Sequence, residues 1–154
     1  MFHDQASFGA IDAEVELARD FRHFLLSAAA DNQSVQLIVC SETSPFARVL
    51  VQAIPALRRS TRRIEILLAA GGRYGTLITE LAEAGCDIDG RVARFANARC
   101  LAEQLVFGSE LWTLTGKSSG RPQRVANASN GYAAAGFALI FKLADPVGRF
   151  RAAA

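Results

Sequence analysis

Val35-Gln-Leu-Ile-Val-Cys40, followed by Ser41-Glu-Thr-Ser44-Pro45-Phe-Ala-Arg-Val-Leu50, is the stretch that decides the fold. The first six residues are too few for a helix and rich in β-branched side chains, so they predict a strand buried on both faces. Ser44 and Pro45 then form a helix start: a hydroxyl at the N-cap and a proline at the first helical position, where its missing N–H costs nothing. The helix continues through Phe46, Val49, Leu50 and Ala53 until Pro55 ends or kinks it.

Working outward, the same alternation recurs. Upstream, Asp12 caps a predicted helix to about Ala30, with Val15, Ala18, Phe21, Leu25 and Leu26 on one face and Glu14, Arg19 and Arg22 elsewhere. Downstream, Arg63-Ile-Glu-Ile-Leu-Leu68 reads as a second strand. Tyr74 to Ala84 reads as a helix closed by Gly85 at its C′ position. Cys86 to Phe95 gives a third strand and Leu101 to Trp112 a fourth. The polar loop Gly116-Lys-Ser-Ser-Gly-Arg-Pro-Gln123 follows. Phe137 to Leu143 reads as a last strand, and Asp145-Pro146 opens a short terminal helix. Alternating strands and helices require a parallel core with right-handed crossovers. The expected architecture is a single α/β domain over residues 1–154, with a mixed, mainly parallel sheet flanked by helices on both faces.

Composition narrows the class. The chain has 154 residues, 51% of them hydrophobic and 21% charged, which fits one packed core and excludes a disordered chain. No apolar run reaches the roughly 18 residues of a membrane span, since the stretch from Gly131 to Phe141 stops at Lys142. No secretory signal is visible at Met1-Phe-His-Asp-Gln5, and a cytoplasmic location is expected. Cys40, Cys86 and Cys100 are an odd number without C-x-x-C spacing, and they read as reduced, partly buried thiols. His3 and His23 are the only histidines, so neither a Cys–His pair nor a metal site has local spacing behind it; no metal and no cofactor are expected. Lys117 and Lys142 are the only lysines among 17 basic residues, and the densest cluster is Arg58, Arg59, Arg62 and Arg63. That cluster is either a solvated turn or a phosphate-contacting patch for weak, salt-sensitive nucleic-acid binding.

Gly116-Lys117-Ser118 matches the end of a phosphate-binding P-loop, but the required first glycine falls on Leu111 and Gly120 and Pro122 prevent the following helix. The segment fits another template. Ala102-Glu-Gln-Leu-Val-Phe-Gly-Ser109, then Glu110 to Ser119, resembles the phospholipase D superfamily pattern H-x-K-x4-D-x6-G-S-x-N in unbroken register. Ala102 stands at the position of the nucleophilic His, Gln104 at that of the phosphate-binding Lys and Ser109 at that of the Asp. Gly116 matches, while Lys117 and Ser119 replace the Ser and Asn. Arg63 to Leu68, Leu81-Ala-Glu-Ala-Gly-Cys-Asp-Ile88 and Phe137 to Pro146 are similar to the family's flanking elements, so the likeness runs from about Val35 to Phe150.

The resemblance implies a phospholipase D-like fold whose catalysis is lost, because Ala102 offers no nucleophile and Gln104 no fixed positive charge. Gln104, Ser109, Lys117, Ser118, Ser119 and Arg121 remain as candidates for a small anion pocket that would take a phosphate-containing ligand. The function implied is binding or assembly. The alternatives are a hydrolase using Ser109 or Ser119 with Lys117, and a nucleic-acid-binding module. Single-motif members of the family pair across the motif face, so a homodimer is expected, with Trp112 or Phe107 near its centre.

Overall fold

A computed structural model of the chain describes residues 2–27, 34–60, 63–97, 102–114, 120–125 and 130–150. Its elements run α1 (Phe2–Leu26), β1 (Val35–Val39), α2 (Pro45–Gln52), α3 (Ile54–Leu57), β2 (Ile64–Ala70), α4 (Gly75–Glu83) and β3 (Ile88–Asn97). They continue with β4 (Gln104–Phe107), β5 (Glu110–Leu114), β6 (Pro122–Arg124), α5 (Asn130–Leu143) and β7 (Asp145–Phe150). The seven strands form one open sheet in the order β6-β5-β4-β1-β2-β3-β7.

The deciding stretch folds as its residues dictate. Ser44 caps α2, its hydroxyl accepting from the Phe46 amide at 3.2 Å. Pro55 has no N–H to continue the ladder, so α2 stops at Gln52 and a separate turn, α3, begins at Ile54. Gly85 follows α4 at φ +76°, a conformation that costs a residue without Cβ nothing. The N-terminal helix starts well before Asp12 and ends at Leu26. Leu17, Phe21 and Leu25 carry its buried stripe, while Val15 and Leu26 of the expected face are exposed.

The sheet is mixed, but the expectation of mainly parallel pairing is overturned. Among the described residues only β1–β2 and β2–β3 are parallel; the four other pairings are antiparallel. The cause is local. The segment read as one strand from Leu101 to Trp112 is a hairpin, folded at Gly108-Ser109 with Phe107 opposite Glu110 and Gly108 at φ +58°. A two-residue turn of this kind can join only antiparallel neighbours.

The last two expected elements are exchanged. Phe137 to Leu143 belongs to helix α5, whose buried residues Phe137 and Phe141 recur at helical spacing, with buried Ala144 directly after its end. The alanines before Phe137 favour the helix, outweighing the strand-like look of Phe-Ala-Leu-Ile-Phe alone. Asp145-Pro146 opens strand β7, not a helix. Proline is tolerated there because β7 is an edge strand and its ladder with β3 shifts register between Gly90 and Arg91.

Buried side chains divide into two clusters. Val35, Leu37 and Val39 of β1 and Ile64, Ile66 and Leu68 of β2 pack with residues of α1 to α4. Their alternates, Ile38, Leu67 and Ala69, pack with Ala93, Phe137, Phe141 and Ala144. Phe107 joins the first cluster, its ring 5.2 Å from that of Phe21 and 5.4 Å from that of Phe24. Trp112 joins the same cluster, and the guanidinium of Arg124 lies 4.9 Å from its ring centre. Both side chains are spent in the chain's own core, so neither is placed to centre a dimer interface; α1 already covers the face they point to.

Candidate functional site

In open α/β sheets the functional crevice lies beyond the carboxyl ends of the parallel strands, where the chain switches direction across the sheet. Here that place is the end of β1. β2 lies on one side of it, and on the other β4 begins antiparallel, with Gln104 opposite Ile38.

The loops that follow β1 and β2 are laced together. Glu42 donates its amide to the Arg73 carbonyl at 3.1 Å. Its carboxylate accepts from the Thr76 amide at 3.1 Å and the Leu77 amide at 3.4 Å. Tyr74, the residue before α4, supplies no side-chain cap, so the carboxylate of a distant loop satisfies the helix start. Ser41 and Thr43 share a hydroxyl–hydroxyl bond at 2.9 Å, and the Ser41 hydroxyl also accepts from the Thr43 amide at 3.2 Å. Gly72 passes so close to its neighbours that a Cβ there would fall on the Tyr74 ring and 2.8 Å from the Cys40 carbonyl oxygen.

Three ionisable groups meet inside this corner. The Cys40 amide donates to Glu103 Oε1 at 2.8 Å. The Tyr74 hydroxyl lies 2.7 Å from the Ala69 carbonyl oxygen and 3.2 Å from that of Val39, and donates to them. Burial pushes the Cys40 thiol up, and the Glu103 carboxylate pushes it further. Burial raises Tyr74 to about 12, with Cys40 and Glu103 adding to the shift and the bond to Ala69 opposing it. Both shifts favour the neutral, unreactive form. This is the opposite of what a nucleophile needs.

Comparison of the chain with family models, with curated proteins and with solved structures finds no match.

The residues expected to form an anion pocket do not all converge. Gln104 begins β4 at the corner, half-buried, and Ala102 is exposed two residues before it. Ser109 is in the hairpin turn beyond the opposite end of β4, past Phe107, which is itself about 10 Å from Gln104 at strand rise. It cannot share a ligand with Gln104. Arg121 precedes Pro122, which pairs with Leu114, so it lies at the Gln104 end of the β5–β6 ladder. Lys117, Ser118 and Ser119 lie outside the described residues.

The arginine cluster is likewise divided. Arg58 and Arg59 are exposed just after α3, and Arg62 lies outside the described residues. Arg63 donates to Asp89 at 2.6 Å; Asp89 is buried and also contacts Arg91 at 3.4 Å. Arg63 therefore neutralises a buried carboxylate and is not available as a loose phosphate contact. Cys86 is buried near Arg58, its thiol raised by burial against the lowering pull of that guanidinium. Among the described residues no group of His, Cys, Asp and Glu is placed to hold a metal ion, and no helix is long and apolar enough to cross a membrane.

The sequence reading missed Glu103 and Tyr74. The usable signal for Tyr74 was its place two residues after Gly72, where a buried hydroxyl must find a carbonyl. Glu103 carried no local signal, because its partner is 63 residues away.

Proposed function

We propose that this chain is a non-catalytic phospholipase D-like domain serving binding or assembly, with helices on both faces of its sheet and with β4–β5 carrying the degenerate counterpart of the family's motif. The observation that carries the reading is the pairing of Gln104 with Thr113. It sets Gln104, at the position of the resembled Lys, beside Thr113, which is three residues before Gly116 in the sequence.

The chemistry at that corner supports binding over turnover. Ala102 has no nucleophilic atom, and Gln104 offers an amide where a phosphate transition state needs a cation. The adjacent Glu103 carboxylate adds negative charge, and Cys40 and Tyr74 are held neutral. Ser109 is too remote to replace the nucleophile. A homodimer belongs to this reading, with its interface away from Trp112 and Phe107.

A metal-free phosphodiesterase assay with bis(4-nitrophenyl) phosphate tests the first half, and the expected rate is that of buffer. Turnover that persists in chelator and disappears in Gln104→Ala would overturn the non-catalytic assignment. Light scattering at micromolar concentration tests the second half, where a monomer mass removes the homodimer.

A further inference from the structure

α1 and α2 enclose a cleft of about 470 Å³, a size typical of small-molecule sites. Its floor is apolar, formed by Ala18, Val49 and Ala53, and Leu26 stands at its side with 45% of its surface exposed. Arg19, Arg22 and His23, all exposed, line it from α1. The described acids of α1 turn elsewhere. Glu14 pairs with Arg48 at 3.1 Å, Glu16 with Arg124 at 3.2 Å, and Asp20 with Arg124 as well. Among the described residues no carboxylate lines the cleft. Arg19 approaches Asp20 only at 4.0 Å.

One carbonyl in the last turn of α1 and two at the end of α2 already have donors. The Phe24 carbonyl already accepts from the Ser27 amide and hydroxyl, and the Val49 and Leu50 carbonyls from the Ala53 amide. The cations are thus left facing a concave apolar surface.

We propose that this cleft is a binding site for a small amphipathic anion. A single anionic head is held by Arg19, Arg22 and His23, and a short apolar body lies on Val49, Ala18 and Leu26. The chemistry selects both parts. A bare anion leaves the floor wet, and a neutral apolar molecule leaves the guanidiniums without a partner. A nucleic-acid strand is disfavoured because, among the described residues, no aromatic side chain lines the cleft to stack a base. The site lies at the end of α2 remote from Ser44 and the strand-end corner, and it does not rest on the phospholipase D-like reading.

Calorimetric titration of the purified chain with hexyl phosphate, hexanoate, hexanol and inorganic phosphate is the test. Hexyl phosphate or hexanoate is expected to bind at least about tenfold tighter than hexanol and inorganic phosphate. Which of the two binds better identifies the head as phosphate or carboxylate. Arg19→Gln/Arg22→Gln should lose that tenfold preference while keeping the wild-type circular dichroism spectrum. Gln52→Trp, which places a ring over the cleft from an exposed position, should abolish binding without touching the cations. Equal affinity for hexanol and hexyl phosphate, or unchanged affinity in the double variant, overturns the proposal. So does a single-stranded oligonucleotide that displaces hexyl phosphate at lower concentration, which would make the arginines a nucleic-acid surface.

Discussion

Phe107→Ala is the substitution that best separates a core hairpin from an interface hairpin. Phe107 is 1% exposed, and its ring meets those of Phe21 and Phe24 at 5.2 and 5.4 Å. Truncating a buried Phe costs about 3–5 kcal/mol through lost burial and the cavity left behind. The two ring contacts, worth about 0.5–1.5 kcal/mol each, place this site towards the upper end. For a chain of this length the loss corresponds to a fall in Tm of roughly 10 °C. Urea unfolding monitored by Trp112 fluorescence measures it, and Phe107→Leu, which keeps most of the apolar volume, should retain more than half of the lost stability. The association state of the folded fraction should not change. A loss below about 1 kcal/mol would refute the packing argument. A variant of unchanged stability that converts a dimer to monomer would return Phe107 to the interface.

Three further outcomes follow from the loops and edges. Glu42→Ala removes the carboxylate that caps α4 and should cost about 0.5–2 kcal/mol in urea unfolding, with Glu42→Gln intermediate. Arg124→Met breaks the contacts of β6 with Glu16, Asp20 and Glu110; these groups are solvent-exposed in part, so the loss should be about 1 kcal/mol or less and shrink at high salt. Tyr74 is raised from 10 to about 12, so the unfolded chain releases its phenolic proton first; the stability it contributes is present below pH 10 and is lost as pH rises towards 12. Chemical denaturation at a series of pH values across that window should show a steeper alkaline decline for the wild type than for Tyr74→Phe.

How far the fold was legible depended on whether a segment's neighbours are local. β1, α2 and β2 carry their own punctuation, with Ser44 as cap, Pro55 as stop and β-branched runs between, and these elements stand within a residue or two of their expected bounds. The parallel pairing of β1 with β2 follows from the intervening helices. Where the signal was ambiguous, the tertiary partner decided. Phe137-Ala-Leu-Ile-Phe141 fits a strand on composition, but Phe137 and Phe141 stack 5.2 Å apart on one helix face against Ile38 and Leu67. Gly108-Ser109 is a standard two-residue hairpin signal, and treating Leu101 to Trp112 as continuous concealed it. That turn makes one of the four antiparallel pairings; the others are β4 on β1, β6 on β5 and β7 on β3.

The same turn governs how much of the site could be read. A motif laid on the sequence as a linear register treats Ala102, Gln104 and Ser109 as neighbours, because seven residues separate the first from the last. A hairpin makes them otherwise: positions on the first arm move away from the corner by about 3.4 Å per residue until the turn, and positions on the second arm return at the same rate. Gln104 therefore faces Thr113, nine residues on, more closely than it faces Ser109, five residues on. Any ligand site built on this hairpin must draw on its two open ends and on the β1 terminus between β4 and β2, where Cys40, Glu103 and Tyr74 already occupy the space. Their convergence on this corner is a property of tertiary contact alone. It makes the corner a poorer receptor for phosphate than the sequence register implies, and the unbalanced arginines of α1 lie elsewhere, beside α2.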